Sequence, residues 1–188
     1  MTDKEIFDLL KNKQSRERGF SVLVNQLKER VYWQIRHMVL SHEDANDLVQ
    51  EVFIKVFQNI DNFKHDSSLS TWVYRIALNH TLNFLQSKKR RKALVFSSLE
   101  NSMLDNLKSD RFFETNEIEL KLQKALLSLP NKQRMVFNLR YYDEMPFKDM
   151  AQVLETSESS LKASYHFASK KVQEQLLEEE NVKLKLTD

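Results

Sequence analysis

Apolar residues recur along this chain every third or fourth position, the spacing that puts them on one face of an α-helix. The cleanest run follows Asp44, where Leu48, Val49, Val52, Phe53, Val56, Phe57 and Ile60 form one stripe. Asn46, Asp47, Gln50, Glu51 and Ile54 fall largely outside it. Ser41 is the predicted N-cap, with Asp44 three residues on as a variant capping box. An earlier helix is predicted over about residues 20–40, carrying Phe20, Leu23, Val24, Leu27, Val31 and Ile35. A further helix opens after "FKHDSSLS". Val73, Ile76, Ala77 and Phe84, flanked by Leu78, Leu82 and Leu85, make its apolar face. Trp72, Arg75, Asn79, Asn83 and Gln86 share another side of it, and "KKRRK" trails it.

Residues 1–92 therefore read as a first helical block. Residues 93–116 lack sustained periodicity and are rich in Ser and Asn. Between Glu100 and Glu119 six acids stand against two bases, so an acidic, flexible linker is expected. Residues 117–178 read as a second block. Its first helix carries Ile118, Leu122, Ala125, Leu126 and Leu129 and ends before Pro130. A second is predicted over 132–142. Pro146 suits the first position of a third, 146–154. Thr156 or Ser157 caps a fourth that runs to about Leu176, and residues 179–188 are expected to be a frayed tail. The predicted fold class is all-α: two small helical domains joined by a flexible linker, the carboxy-terminal one a helix-turn-helix.

That last assignment rests on "FKDMAQVLETSESSLKASYHFASKK", which has a short helix, a tight turn and a longer helix. Leu154 and Leu161 would close the corner. Leu161, Tyr165, Ala168, Val172 and Leu176 face inward on the longer helix. Ser159, Lys162, Ala163, His166, Lys170 and Gln173 face outward, a surface read as free of acids. It combines lysines for phosphates, His and Gln for base edges, and Ala163 for a thymine methyl. Glu155 stands where the turn often holds a left-handed glycine, at a cost of about 1 kcal/mol.

Composition narrows the function. One glycine, Gly19, in 188 residues cannot build a phosphate-cradling loop, and two prolines with one glycine disfavour a turn-rich β fold. No cysteine excludes disulfides and thiolate metal sites and fits a reducing cytoplasm. The first residues are too acidic and too broken for a signal peptide, and no apolar run approaches a membrane helix. The five histidines lack metal-ligand spacing, and no nucleophile–base grouping can be assembled. Neither a cofactor nor a metal nor an enzymatic activity is expected. The formal net charge of +2 implies no partner by itself.

The Trp72 stripe suits unstacked nucleobases: aromatics and guanidinium planes stack on them, and amides meet an exposed Watson–Crick edge. The loop "KHDSSLS" can wall a pocket for an extruded base. Lys88, Lys89, Arg90, Arg91 and Lys92 would hold phosphates.

Taken in order, "DANDLVQEVFIKVF", "LSTWVYRIALN" and "LLSLPNKQRMVFNLRYYDEMPFKDMAQVLE" with "SLKASYHFASKK" resemble bacterial RNA polymerase sigma factors. The two-block layout resembles their extracytoplasmic-function group, over about residues 10–176. The resemblance implies a cytoplasmic initiation factor whose partners are core RNA polymerase (its β′ coiled coil and β subunit), promoter DNA in duplex and single-stranded form, and an anti-sigma protein. It implies that Asn46, Asp47, Gln50, Glu51 and Ile54 meet the β′ coiled coil. Lys64, His65, Asp66, Ser67 and Ser68 would capture a flipped base of the minus-ten element. Trp72, Arg75, Asn79 and Asn83 would line the single-strand path, with Lys88, Lys89, Arg90 and Arg91 beside it. Ser159, Lys162, Ala163, His166, Lys170 and Gln173 would read the minus-thirty-five element. The acidic linker would thread polymerase channels that otherwise hold nucleic acid. The chain departs from the family in having "SSL" where Gly-Thr-Val often enters the recognition helix, and Ala163, Tyr165 and His166 where arginines are common. A stand-alone helix-turn-helix regulator is the competing class, and it would need a dimer surface and a ligand pocket that the sequence does not display.

Overall fold

The computed structural model describes residues 1–93 and 117–186, and side chains over 1–90 and 117–178. Among the described residues there are eight α-helices, one 3₁₀ turn and no strand: α1 Asp3–Lys11, α2 Arg16–Val39, α3 His42–Asn59, the turn Ile60–Asn62, α4 Leu69–Ala93, α5 Glu117–Leu127, α6 Asn131–Tyr141, α7 Phe147–Leu154 and α8 Glu158–Leu186. From residue 94 on, the expected acidic linker lies outside the described residues. The last helix, α8, runs past its predicted end near Leu176, to Leu186.

Local chemistry accounts for the helix ends. Thr2 and Glu5 close a capping box on α1. Ser41 Oγ accepts from Asp44 N at 3.2 Å. The Asp44 carboxylate does not complete a box and pairs instead with Lys88 of α4. Leu40 ends α2 in the left-handed region, with φ 56°. Its side chain is 1% exposed, and that burial offsets the roughly 1–2 kcal/mol the conformation costs. Gly19 lets α2 cross α1 closely, since a Cβ there would meet Leu9 Cβ at 2.8 Å.

Helices α2, α3 and α4 bury their predicted stripes with local differences. Leu23, Leu27, Val31, Ile35, Leu48, Val52, Phe53 and Val56 are buried, whereas Phe20, Val24 and Val49 are half-buried and Phe57 is exposed. The buried arc of α4 is rotated from the predicted one. It runs through Val73, Tyr74, Ala77, Leu78, Thr81 and Leu85, leaving Ile76, Leu82 and Phe84 half-buried. The reason is that α4 packs on α7 as well as on α2 and α3. Thr81 tolerates burial because its hydroxyl donates to Ala77 O at 2.8 Å.

In the second block Ala125, Leu126, Leu129, Phe137, Ala168 and Val172 form a small core. Ile118, predicted to point inward, is 75% exposed on the first turn of α5. Pro146 stands at the N-cap of α7, one residue before its expected place. Glu155 takes the anticipated left-handed conformation, φ 50° and ψ 44°, with its N–H on Ala151 O. Ser157 caps α8 through the N–H of Ser160 at 3.3 Å.

The two blocks are docked. Leu139, Met145, Met150, Val153 and Leu161 join the same buried cluster as the amino-terminal core. A polar clasp completes the contact. The last carbonyls of α2 have no partner within that helix. Arg134 Nη2 donates to Met38 O at 3.0 Å and Asn138 Nδ2 to His37 O at 3.2 Å. α6 thus caps α2 from outside, and the guanidinium lies at the negative end of the helix dipole. The His37 ring stacks on Tyr142, centroids 4.0 Å apart. Burial there, with the Arg36 charge, lowers His37 to a pKa of about 4.

Candidate nucleic-acid interface

A cleft of about 420 Å³ opens between the end of α3 and the middle of α4, lined by Lys55, Asn59, Asn62, Trp72, Ile76, Asn79, His80 and Asn83. Three predicted residues, Trp72, Asn79 and Asn83, meet in it. Trp72 is braced by Phe63, the rings tilted by 46° with centroids 5.4 Å apart. His80 Nε2 is held by the Glu51 carboxylate across the helix pair. The arrangement offers an aromatic wall, four amides, an imidazole and a lysine. These groups serve stacking, base-edge hydrogen bonds and a phosphate respectively. Sequence reading missed the α3 wall. Lys55, Asn59 and Asn62 recur at helical spacing just past the apolar stripe, and that spacing was the available signal.

Arg75 does not join the cleft. Its Nη1 donates to Glu155 Oε1 at 2.6 Å, linking α4 to the turn between α7 and α8. Lys88 is also engaged, by Asp44 and over the Phe84 ring at 5.4 Å, so it is not the open phosphate ligand expected. Lys89 and Arg90 are exposed. The side chain of Arg91 lies outside the described residues, as does that of Lys92.

The loop before α4 is braced by α1. His65 has φ 61° and sits against Phe7 and Phe63, centroids 4.1 and 4.7 Å away. Leu69 N donates to Asp3 Oδ2 at 2.9 Å, and Ser68 Oγ accepts from Thr71 N at 3.1 Å. Lys64, His65, Asp66 and Ser68 are exposed and Ser67 half-buried on this supported loop.

On α3, Asp47, Gln50 and Ile54 project outward, Ile54 at 55% exposure. Asn46 is turned to His42 Nε2 at 2.9 Å, and Glu51 belongs with the cleft through His80. Ile54 continues into an apolar groove of about 400 Å³ with Phe20, Phe53 and Phe57. The stripe placed Phe57 in the core, yet its ring stands at this groove beneath the Arg16 guanidinium, 5.3 Å from the centroid.

On α8, Ser159, Lys162, Ala163, His166, Lys170 and Gln173 are all exposed. The face is not free of acids. Glu174 lies on the same arc and stands 3.8 Å from Lys170, and Glu158 stands 3.6 Å from Lys162. These are exposed i,i+4 pairs, weak enough to exchange for a phosphate.

The chain's own strings now meet independent matches. The sigma-70 region 2 model matches residues 23–91, the block that builds the cleft, and the sigma-70 region 4 model matches residues 119–172, the helix-turn-helix block. This chain belongs to the sigma-70 family, in its extracytoplasmic-function (ECF) group. Among relatives of this sigma factor is ECF RNA polymerase sigma factor SigW of Bacillus subtilis (strain 168). It is 28% identical over 166 residues, which is 84% of this chain and 89% of that protein. The ECF RNA polymerase sigma-E factor of Escherichia coli (strain K12) is 28% identical over 149 residues, 74% of this chain and 76% of that one. The fold matches CnrH in complex with the cytosolic domain of CnrY, TM-score 0.64 at 21% identity, over 93% of this chain and 96% of that one. It also matches RpoE of Bartonella quintana in complex with the anti-sigma factor NepR, TM-score 0.61 at 18% identity, over 84% and 96%. This sigma factor directs RNA polymerase to promoters. No described helix is long and apolar enough to cross a membrane.

Proposed function

We propose that the α3–α4 cleft receives separated promoter strand at the minus-ten element and holds the duplex open. The observation that carries this is the meeting of Trp72, Asn79 and Asn83 with Lys55, Asn59 and His80 in one braced recess. Bases fit such a recess only once unstacked, so binding there favours the melted state. Each stacked or pocketed base contributes about 1–3 kcal/mol. The loop Lys64–Ser68 takes a flipped base at the near end of this path. Arg75 joins it when its pair with Glu155 is released. No bond is cleaved or formed in these steps.

Asp47, Gln50 and Ile54 dock the β′ coiled coil of core polymerase, a carboxylate, an amide and an apolar side chain being suited to a basic, part-apolar helix. The outward face of α8 enters the major groove at the minus-thirty-five element. Each DNA contact is modest alone. Polymerase fixes their spacing and converts two weak contacts into one strong one through effective concentration. The protein acts in the cytoplasm, and an anti-sigma protein is a further partner. The sigma-fold complexes with CnrY and NepR support that role.

In vitro transcription with purified core polymerase over a genomic DNA library tests the whole reading. Promoter-specific transcripts that depend on this chain are expected. A chain that neither joins core polymerase nor starts transcripts would refute it.

A further inference from the structure

Beside the predicted recognition residues of α8 lies one that sequence reading left out. Phe167 is 63% exposed, a large apolar ring on an otherwise polar surface. It follows Ala163 by four residues, so the two lie about 40° apart around the helix axis, on the side opposite buried Leu161, Ala168 and Val172. His166 stands beside the ring, centroids 5.9 Å apart and 64° between planes. Lys162 and Lys170 lie on the side of Ala163 away from the ring, their side chains 60% and 67% exposed and each paired with a carboxylate one turn away.

A phenyl ring kept in water has a transfer cost that a partner can relieve. The neighbouring lysines, held only in exposed pairs weak enough to exchange, suit a phosphate-bearing partner, and the small side chains of Ser159 and Ala163 let a groove wall approach. In the major groove the distinct apolar feature of a base edge is the thymine C5-methyl, and Phe and Ala are side chains that contact it. We infer that Phe167, with Ala163, reads thymine methyl groups in the upstream promoter element. This rests on the placement of α8 in that groove and adds the basis of its specificity: apolar readout at positions that a guanidinium would read as guanine.

The test uses holoenzyme rebuilt from the full chain and core polymerase, on a promoter recovered by the transcription experiment. Each upstream-element thymine is replaced in turn by deoxyuridine, which removes only the methyl. Removing a methyl buried against Phe167 is expected to weaken binding about fourfold. Phe167→Ala is expected to weaken binding to the thymine promoter similarly and to erase the deoxyuridine effect at that one position. Phe167→Leu keeps an apolar contact and should retain most of the discrimination. Because the ring is exposed, thermal melting of both variants should match the parent.

Two results overturn the inference while leaving α8 in the groove: no thymine methyl matters, or the loss persists unchanged in Phe167→Ala. A third separates the two levels. If Lys162→Ala and Lys170→Ala leave the upstream footprint and its salt dependence as in the parent, α8 is not the groove helix and the inference falls with that placement.

Discussion

The cleft of α3 and α4 and the outward face of α8 draw on similar residue classes: an aromatic, amides or small polar groups, histidine and lysine. They differ in shape and in how firmly their groups are held. In the cleft two half-buried side chains are braced, Trp72 by Phe63 and His80 by Glu51, and the exposed amides of Asn79 and Asn83 stand beside them. On α8 the groups protrude; Lys162 and Lys170 each pair with a carboxylate one turn away, and Lys162 also stands 6.0 Å from the Phe147 ring centroid. A separated strand offers ring faces and pairing edges, so its receptor needs walls that are ordered before it arrives. An intact duplex already holds its bases in place, so its reader needs a protruding ridge that fits the groove.

The sharpest way to break this comparison is to strip the cleft. Trp72→Ala is expected to cost about 1–3 kcal/mol of open-complex stability on a duplex promoter, with less loss on a template melted in advance. Asn79 is exposed and can be removed without disturbing packing. Asn79→Ala should follow the same pattern at about 1 kcal/mol. Permanganate footprinting on the two templates reads the difference. Equal defects on both would mean the cleft binds DNA without favouring the melted state.

A second experiment asks whether both DNA surfaces depend on polymerase. Asp47→Ala with Gln50→Ala should weaken core binding about tenfold, equivalent to about 1.4 kcal/mol. Unfolding should be unchanged, since both side chains are exposed. An unchanged affinity in a pull-down would reject this docking face. A smaller effect is expected on α8. Lys162→Ala should weaken protection upstream only, by a few-fold, and lower the salt slope by about 1. A downstream effect would mean the two surfaces have been exchanged.

The helices were legible because their chemistry is local. Apolar spacing set the stripes, Ser41 and Ser157 capped, and Glu155 took the left-handed turn. Contacts made by docking were not legible. Arg75 read as a strand ligand until Glu155, far along the chain, was seen to hold it. Lys88 read as part of a basic run until Asp44 claimed it. The α4 stripe was rotated because periodicity registers how many faces are apolar and not which neighbours cover them. Phe167 was passed over because an exposed phenyl ring breaks the polar pattern that defined its face. The clasp of Arg134 and Asn138 on the end of α2 also escaped, since a carbonyl that lacks a partner leaves no trace in residue identity.

The smallest expected effect lies at that docking contact, where two shifted groups oppose each other. His37, held between Trp33 and Tyr142 beside Arg36, is lowered by burial from 6.5 to about 4. As pH falls from 6.5 towards 4 the unfolded chain takes up this proton and the folded one does not, so stability is lost on acidification. Asp143, near Arg30 and Gln34, is raised by burial from 3.8 to about 6. Between 3.8 and 6 the folded chain keeps a proton that the unfolded one releases, so this contribution is lost as pH rises. The two shifts are of similar size and opposite slope, and between about pH 4 and 6 they nearly cancel, to a net of under about 1 kcal/mol. Urea midpoints across that window should separate them. Relative to the parent, His37→Phe should lose stability as pH rises, and Asp143→Asn should lose it as pH falls. Other carboxylates titrate alike in all three chains, so the differences isolate the pair. If both differences had the same sign, the docked contact would not bury both groups, and the two blocks would not hold in solution the packing described for them.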